Sequence, residues 1–320
     1  MAYLGKQYGS NANVVRSNQP TPPKKPKRKI KWGRLLLILF VFTFVLGLTG
    51  LAAYGWYLER KVVQADANVP PIPDGKPVNV LIIGVDRDPK SGEAQRRENF
   101  NTDTLILAHI DPSKHQASML SIPRDTRVQL PTGMEKINAA YAIGGMDRLK
   151  KTVGDLTGLT VDRYLMIDFQ GFVKMIDAVG GLDFAVDKPI YDPEGTVSLQ
   201  PGTQHLNGQQ SLAVVRFRHE EMGDIARVQR QQLFLEALTA KMKDSSLVDW
   251  TKALRGMSDS LTTDMSINDM GTLAYSMHGD AAKVSAYTVP GDFLDLYGVS
   301  YWKYDPQKLK GIVQQMKNEP

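Results

Sequence analysis

The chain has no cysteine and only five histidines in 320 residues. The first absence excludes a disulfide scaffold, a cysteine nucleophile, thiolate zinc sites and iron–sulfur clusters. The histidines, His109, His115, His205, His219 and His278, show no zinc spacing. There is no GxxxxGK[ST] phosphate loop, no GxSxG elbow, no HExxH pair and no internal repeat. Acidic residues are missing from one region: residues 1–34 hold nine Lys or Arg and no Asp or Glu. The rest of the chain carries 30 basic and 34 acidic residues, so the formal charge of +5 belongs to the tail. Such a tail is compatible with nucleic-acid binding, but the apolar run directly after it points elsewhere, and no nucleic-acid partner is expected.

Leu35 to Leu58 is an uncharged run of 24 residues. A helix of that length covers ~36 Å, against a hydrocarbon core of ~30 Å. Trp32 at one end and Tyr54, Trp56 and Tyr57 at the other stand where interfacial aromatics belong. A cleaved signal peptide would have a shorter apolar region, of about 7–15 residues, ending in small residues. The run therefore reads as an uncleaved transmembrane helix. Lys24, Lys25, Lys27, Arg28, Lys29, Lys31 and Arg34 direct the amino terminus to the cytoplasm. The expected organisation is a disordered basic cytoplasmic tail (1–34), one transmembrane helix (35–58), a Pro-containing extracellular stalk (59–77) and an outer domain (78–320) at the cell membrane.

The outer domain reads as α/β, a mixed central β-sheet packed with α-helices. VNVLIIGV, residues 78–85, has the continuous apolar character of a strand buried on both faces. Strands are expected at 104–110, 116–122, 164–167 and 182–186, and another near 284–289. Helices are expected from a cap at Asn138 to about Leu156, over 169–179 ending at Gly180-Gly181, over 207–215, and over 224–242, with two more beyond.

Two places could carry chemistry. The first strand ends at Asp86, the second begins just after Asp103, and the third runs out at Arg124-Asp125. If these strands are neighbours in an antiparallel meander, all four side chains gather at one sheet edge. Carboxylates without His or Cys suit a hard cation such as Mg²⁺, though each Asp could equally be a turn or cap residue. The second place is VVRFRHEEMGDIARVQRQQ, 214–232. In an extended segment Arg216 and Arg218 point to one side, and Asp224, Arg227 and Gln231 share a helix face. Converging arginines suit phosphate; a salt-bridge network with Glu220, Glu221 and Asp224 is the structural alternative.

In order along the chain, NVLIIGVDRD, TDTLILAHID, SIPRDT, KINAAYAIGG, DAVGGLDFAV, LNGQQSLAVVRFR and GDIARVQRQQ resemble the LytR-CpsA-Psr family over roughly residues 78–240. The resemblance implies a Mg²⁺-dependent phosphotransferase. It would move an anionic, teichoic acid-like polymer from an undecaprenyl-pyrophosphate carrier onto peptidoglycan, forming a phosphodiester. It implies that Asp86 and Asp103 are metal ligands and that Arg124, Lys136, Arg216, Arg218, Arg227 and Gln231 bind pyrophosphate. Arg124, Asp224 and Arg227 would be catalytic, Asp224 by orienting Arg227 or as base. It also implies an apolar pocket for the prenyl chain, with Phe172, Ile176, Leu233 and Phe234 as candidate walls. Where many relatives read Arg-Ser-Asp-Thr, this chain reads Asn101-Thr102-Asp103-Thr104, and Arg96 or Arg97 could replace the missing cation. A lipid pyrophosphatase would use the same residues with water as the acceptor; a non-catalytic lipid-binding regulator is a third alternative, disfavoured by the short polar cytoplasmic segment and by the intact Asp86, Asp103, Arg124 and Arg227.

Overall fold

The computed structural model describes residues 70–85, 102–191, 195–217, 230, 233–234, 236–238, 240–241, 245–277 and 282–318, all within one compact unit of the chain, 51–320. The expected tail, span and most of the stalk lie outside them. No helix among the described residues is long and apolar enough to cross a membrane.

The fold is α/β around a mixed six-stranded sheet. In chain order its strands are β1 (Val78–Val85), β2 (Thr102–Asp111), β3 (Gln116–Ile122), then, after the β4–β5 ribbon (Arg127–Leu130, Gly133–Lys136) and helix α1 (Ala139–Thr157), β6 (Arg163–Asp168). Helix α2 (Phe169–Ala178), strands β7 (Leu182–Val186), β8 (Ile190–Tyr191), β9 (Ser198–Leu199) and β10 (Gly202–Leu206), and α3 (Gly208–Arg216) follow. Then come α4 (Leu247–Met257), β11 (Leu261–Thr263), α5 (Ile267–Ser276), β12 (Lys283–Thr288), the β13–β14 hairpin (Gly291–Leu296, Val299–Tyr304) and α6 (Pro306–Asn318). The sheet order is β11-β6-β1-β2-β3-β12. β1 is antiparallel to β2 and parallel to β6, and β2 is antiparallel to β3.

The apolar run of β1 is covered on both sides, as its composition requires. Leu81, Ile83 and Val85 join a core with Leu149 and Val153 of α1 and Leu309 and Val313 of α6. Val78 and Val80 pack on the other face with Met265 and Leu273, and Ile72 is laid against them. The Ile72 N–H donates to Asp269 Oδ1 at 3.1 Å, so the end of the expected stalk is docked on the domain. A separate core of Ile176, Phe184, Leu206, Val214 and Phe234 joins α2 and α3 to β7–β10.

Several local expectations change. Asn138 stands at the start of α1 but makes no side-chain cap, because its own backbone is already helical, φ −63° and ψ −21°. Its peptide groups instead tie other strands together at the site. Gly144 and Gly145 break α1 with a kink, Gly145 at φ 65°, a conformation that only glycine adopts without strain. Arg216 closes α3 rather than lying in an extended segment, so the two-residue alternation with Arg218 does not apply to it. In the carboxyl-terminal part the expected strand is β12, and beside the two expected helices the described residues add β11, the β13–β14 hairpin and a third helix.

Candidate functional site

The meander places the chemistry at one sheet edge. Leu105 of β2 pairs with Ile122 of β3. Continuing that antiparallel register by two residues sets Asp103 opposite Arg124. Their side chains meet there: Arg124 Nη1 donates to Asp103 Oδ1 at 2.7 Å. On its other side Arg124 Nε lies 3.7 Å from Asp125 Oδ2, and Asp125 Oδ1 accepts from Lys136 Nζ at 2.7 Å. Asp103, Arg124, Asp125 and Lys136 thus form one alternating chain of charges.

The backbone around it is well tied. After β3 the Thr126 N–H returns to the Pro123 carbonyl at 2.9 Å. The Ile137 and Asn138 N–H groups donate to the carbonyls of Thr126 and Arg124, and the Asn138 carbonyl accepts from Thr102 at 3.4 Å. Lys136 ends β5 next to this junction, with Arg127 as its cross-strand partner. The Trp302 N–H donates to the Asp125 carbonyl at 2.8 Å, which fastens the β13–β14 hairpin to the same turn. A pocket of about 540 Å³ opens here, lined by Arg124, Asp125, Glu135, Lys136, Asn138 and Tyr301, among others. Arg124 Nε is buried and has no hydrogen-bond partner among the described residues.

The other side of the edge is reached through β6. Val85, the last residue of β1, pairs with both Thr102 and Asp168. Asp168 caps α2, accepting the Gly171 N–H at 2.8 Å, so Phe169 starts that helix at the same edge. The exposed Arg216 lies over the Phe169 ring, 4.6 Å from its centroid. The carboxyl ends of neighbouring strands are where open α/β sheets bind ligands.

Of the residues read from the sequence, Asp103, Arg124 and Lys136 are therefore brought together, and Arg216 reaches the same edge. Asp86, Arg218, Asp224, Arg227, Gln231, Arg96 and Arg97 lie outside the described residues. Among the described residues no cluster of three or more His, Asp or Glu could hold a metal ion by itself. The candidate pocket walls differ among themselves. Ile176 has no exposure and Phe234 only 3%, so both are core, with Phe172 packed against them and 5.7 Å from the Phe234 ring. Leu233 is 55% exposed. Arg230, in the same arginine-rich segment, is 4% exposed and lies with its guanidinium over Phe217 at 5.3 Å, a packing role. Glu135, Asn138 and Tyr301 were missed as site residues; Asn138 lies in the KINAAYAIGG motif and Glu135 directly precedes it, and for Tyr301 the sequence signal was the aromatic run Tyr301-Trp302-Lys303-Tyr304.

A model of the LytR_cpsA_psr family matches residues 57–318. The chain belongs to this family. It is 30% identical over 305 residues to Bacillus subtilis TagV, a polyisoprenyl-teichoic acid–peptidoglycan teichoic acid transferase, covering 87% of this chain and 75% of that protein. The crystal structure of TagV superposes with a TM-score of 0.65 at 30% identity, over 78% of this chain and all of that one. Biofilm regulatory protein A of Streptococcus mutans is 28% identical over 319 residues, 91% of this chain and 78% of that protein. The structure of B. subtilis TagT with bound octaprenyl pyrophosphate lipid has a TM-score of 0.58 at 25% identity, over 80% of this chain and 95% of that chain.

Proposed function

We propose that the protein is a membrane-anchored phosphotransferase that moves an anionic, teichoic acid-like glycopolymer from a polyprenyl-pyrophosphate carrier to peptidoglycan. The observation that carries this reading is Arg124, held at the sheet edge between Asp103 and Asp125 and lining the pocket beside them, in a chain related to TagV. An acceptor hydroxyl attacks the phosphorus that bears the sugar. The bond from that phosphorus to the bridging oxygen breaks, the lipid leaves as its monophosphate, and a phosphodiester remains. Asp224 is the candidate for taking the hydroxyl proton. Arg124, with Lys136, Arg216, Arg218, Arg227 and Gln231, holds the charge that grows on the phosphate oxygens. Phosphoryl transfer depends mainly on such positioning and neutralisation.

Mg²⁺ suits the donor chemistry. β1 ends one residue before Asp86, and its last residue pairs with the one before Asp103. Both aspartates offer hard oxygen ligands, and Mg²⁺ normally completes its shell with water and substrate phosphate. Bound there, it would neutralise pyrophosphate charge. Residues 35–58 are the proposed span, with 1–34 cytoplasmic, 59–77 a stalk and the domain from 78 outside the cell.

The decisive experiment supplies a polyprenyl-pyrophosphate glycan and peptidoglycan to the purified full chain. Polymer joined to peptidoglycan is the expected product. Free polymer phosphate would establish the hydrolase instead. The name of the Streptococcus mutans relative supports a regulatory reading, in which the purified chain would bind the lipid without joining polymer to peptidoglycan, and loss of the protein from cells would leave their wall polymer unchanged.

A further inference from the structure

We propose that the pocket beside Arg124 is a glycan subsite, with the Tyr301 ring as the platform for a pyranose and Glu135, Asp125 and Asn138 as partners for its hydroxyls. The proposal rests on the transferase reading for its substrate class: the phosphorus that is attacked bears the donor sugar, and the attacking hydroxyl belongs to a sugar of the acceptor. The pocket's own chemistry makes the choice. Its volume of about 540 Å³ is that of a small-ligand site. Arg124 and Lys136 are already opposed by Asp103 and Asp125, and Glu135 adds a further carboxylate to the lining. A second multiply charged anion would meet these carboxylates at close range. A neutral polyol would not, because its hydroxyls donate to carboxylates and exchange hydrogen bonds with an amide. An apolar ligand would strand the same polar groups.

Tyr301 is aimed by the hairpin. Successive residues of a strand point to opposite faces. Trp302 is committed to the core side, where its Nε1 donates to the Val289 carbonyl at 3.0 Å and its ring meets Phe293 edge-on at 5.1 Å. Tyr301 must therefore face the other way, into the pocket. The hairpin closes with Tyr297 and Gly298 at φ 56° and 77°, a tight two-residue turn that sets this register. Lys136 Nζ and Arg127 lie 5.7 and 5.8 Å from the Tyr301 ring centroid. They come from cross-strand partners on the β4–β5 ribbon, and they fix the ring's position beside the pyrophosphate-binding Arg124.

The test uses the full chain in phospholipid nanodiscs and three probes: polyprenyl pyrophosphate alone, the same lipid carrying a disaccharide, and a soluble peptide-free peptidoglycan oligosaccharide. Tyr301→Ala should weaken at least one sugar-bearing probe by about tenfold, from lost ring burial. Glu135→Gln should cost a similar factor through a lost charge-assisted bond. Binding of the bare lipid should not change. Weakening of the glycolipid assigns the subsite to the donor sugar, and weakening of the soluble oligosaccharide assigns it to the acceptor. If Tyr301→Ala fails to fold, Glu135→Gln decides alone, being isosteric on a two-stranded ribbon. Parent-like affinity of the folded variants for both sugar probes, or an equal loss of the bare lipid, overturns the subsite. Sugar-selective loss in a protein that transfers no polymer keeps the subsite and overturns the transferase.

Discussion

The two described arginines at the sheet edge are held in opposite ways. Arg124 sits between Asp103 and Asp125, with its side chain 22% exposed and its backbone locked to Asn138. Arg216 ends a helix, is exposed, and rests on one face of Phe169. The first arrangement spends two carboxylates on fixing one guanidinium before any ligand arrives, which is what electrostatic preorganisation requires. The second keeps the rotamer freedom of a long side chain lying on an apolar surface. Arg124 is thus suited to a position that must not move, and Arg216 to following a substrate.

The largest expected effect breaks the rigid half. Arg124→Ala should lower transfer by about 10²–10³, the cost of one lost charge-stabilising donor. It should also leave Asp103 without its cation, while Asp125 keeps Lys136. Lysine should rescue only in part, because a point charge cannot bridge both carboxylates. A parent rate in the alanine variant, measured with lipid-linked donor, would remove Arg124 from the site. Asp103→Asn should act in the same direction and raise the Mg²⁺ concentration needed for transfer, and chelation by EDTA should stop the parent reversibly. Transfer that persists in chelator would leave Asp103 as a partner of Arg124 alone.

A control at the far end of β6 separates rigidity at the site from stability of the sheet. Asp264, 8% exposed, accepts from the Tyr164 N–H at 2.8 Å and from Lys150 Nζ at 3.1 Å. Asp264→Ala should cost about 3 kcal/mol by leaving a partly buried lysine unpaired. The melting temperature should fall while transfer per folded molecule stays at the parent value; a matching loss of rate would mean that site and sheet are not separable. Arg216→Ala should do the reverse, lowering transfer by about tenfold with no change in melting. A drop in melting temperature would make Arg216 a structural cation on Phe169 instead.

The smallest effect is in the pH dependence of stability. Burial is the main reason that His109, hydrogen-bonded to Asn79 at 2.7 Å, has its pKa below 6.5 in the folded chain. The unfolded chain then binds more protons in the window between the two values. Stability from this group is complete above pH 6.5 and is lost as the pH falls through 6.5 toward the folded pKa. Denaturant melts of the parent and His109→Gln should differ in slope only in that window. Parallel curves would show that the imidazole is not desolvated.

The meander of β1, β2 and β3 was legible because each strand is a closed apolar run bounded by turn residues, and its ends name Asp103, Arg124 and Asp125 directly. The helix beginning at Asn207, whose capping box with Gln210 the structure adds, and the ending of α2 at Gly180-Gly181 followed from local chemistry in the same way. At Gly181 a Cβ would lie 2.6 Å from the Leu206 carbonyl oxygen, a requirement set by packing rather than by the turn alone. Asn138 misled because a capping residue type was read without its backbone conformation. Arg216 misled because helix α3 runs one residue further than its apolar pattern. Tyr301 could not be placed, since nothing near it in sequence says which side of its hairpin meets the turn at Asp125.

What the sequence by itself determined is the set of elements and the side chains at their ends: apolar periodicity, turn residues and caps are local, and they need no partner to act. It also carries the family motifs. Only the tertiary structure decided which ends meet. The antiparallel register put Asp103 against Arg124, the return of residues 137–138 brought Lys136 to Asp125, and a hairpin some 160 residues further on supplied Tyr301. Those contacts depend on strand pairing and on which face of each element the core takes up, and both are properties of the assembled sheet.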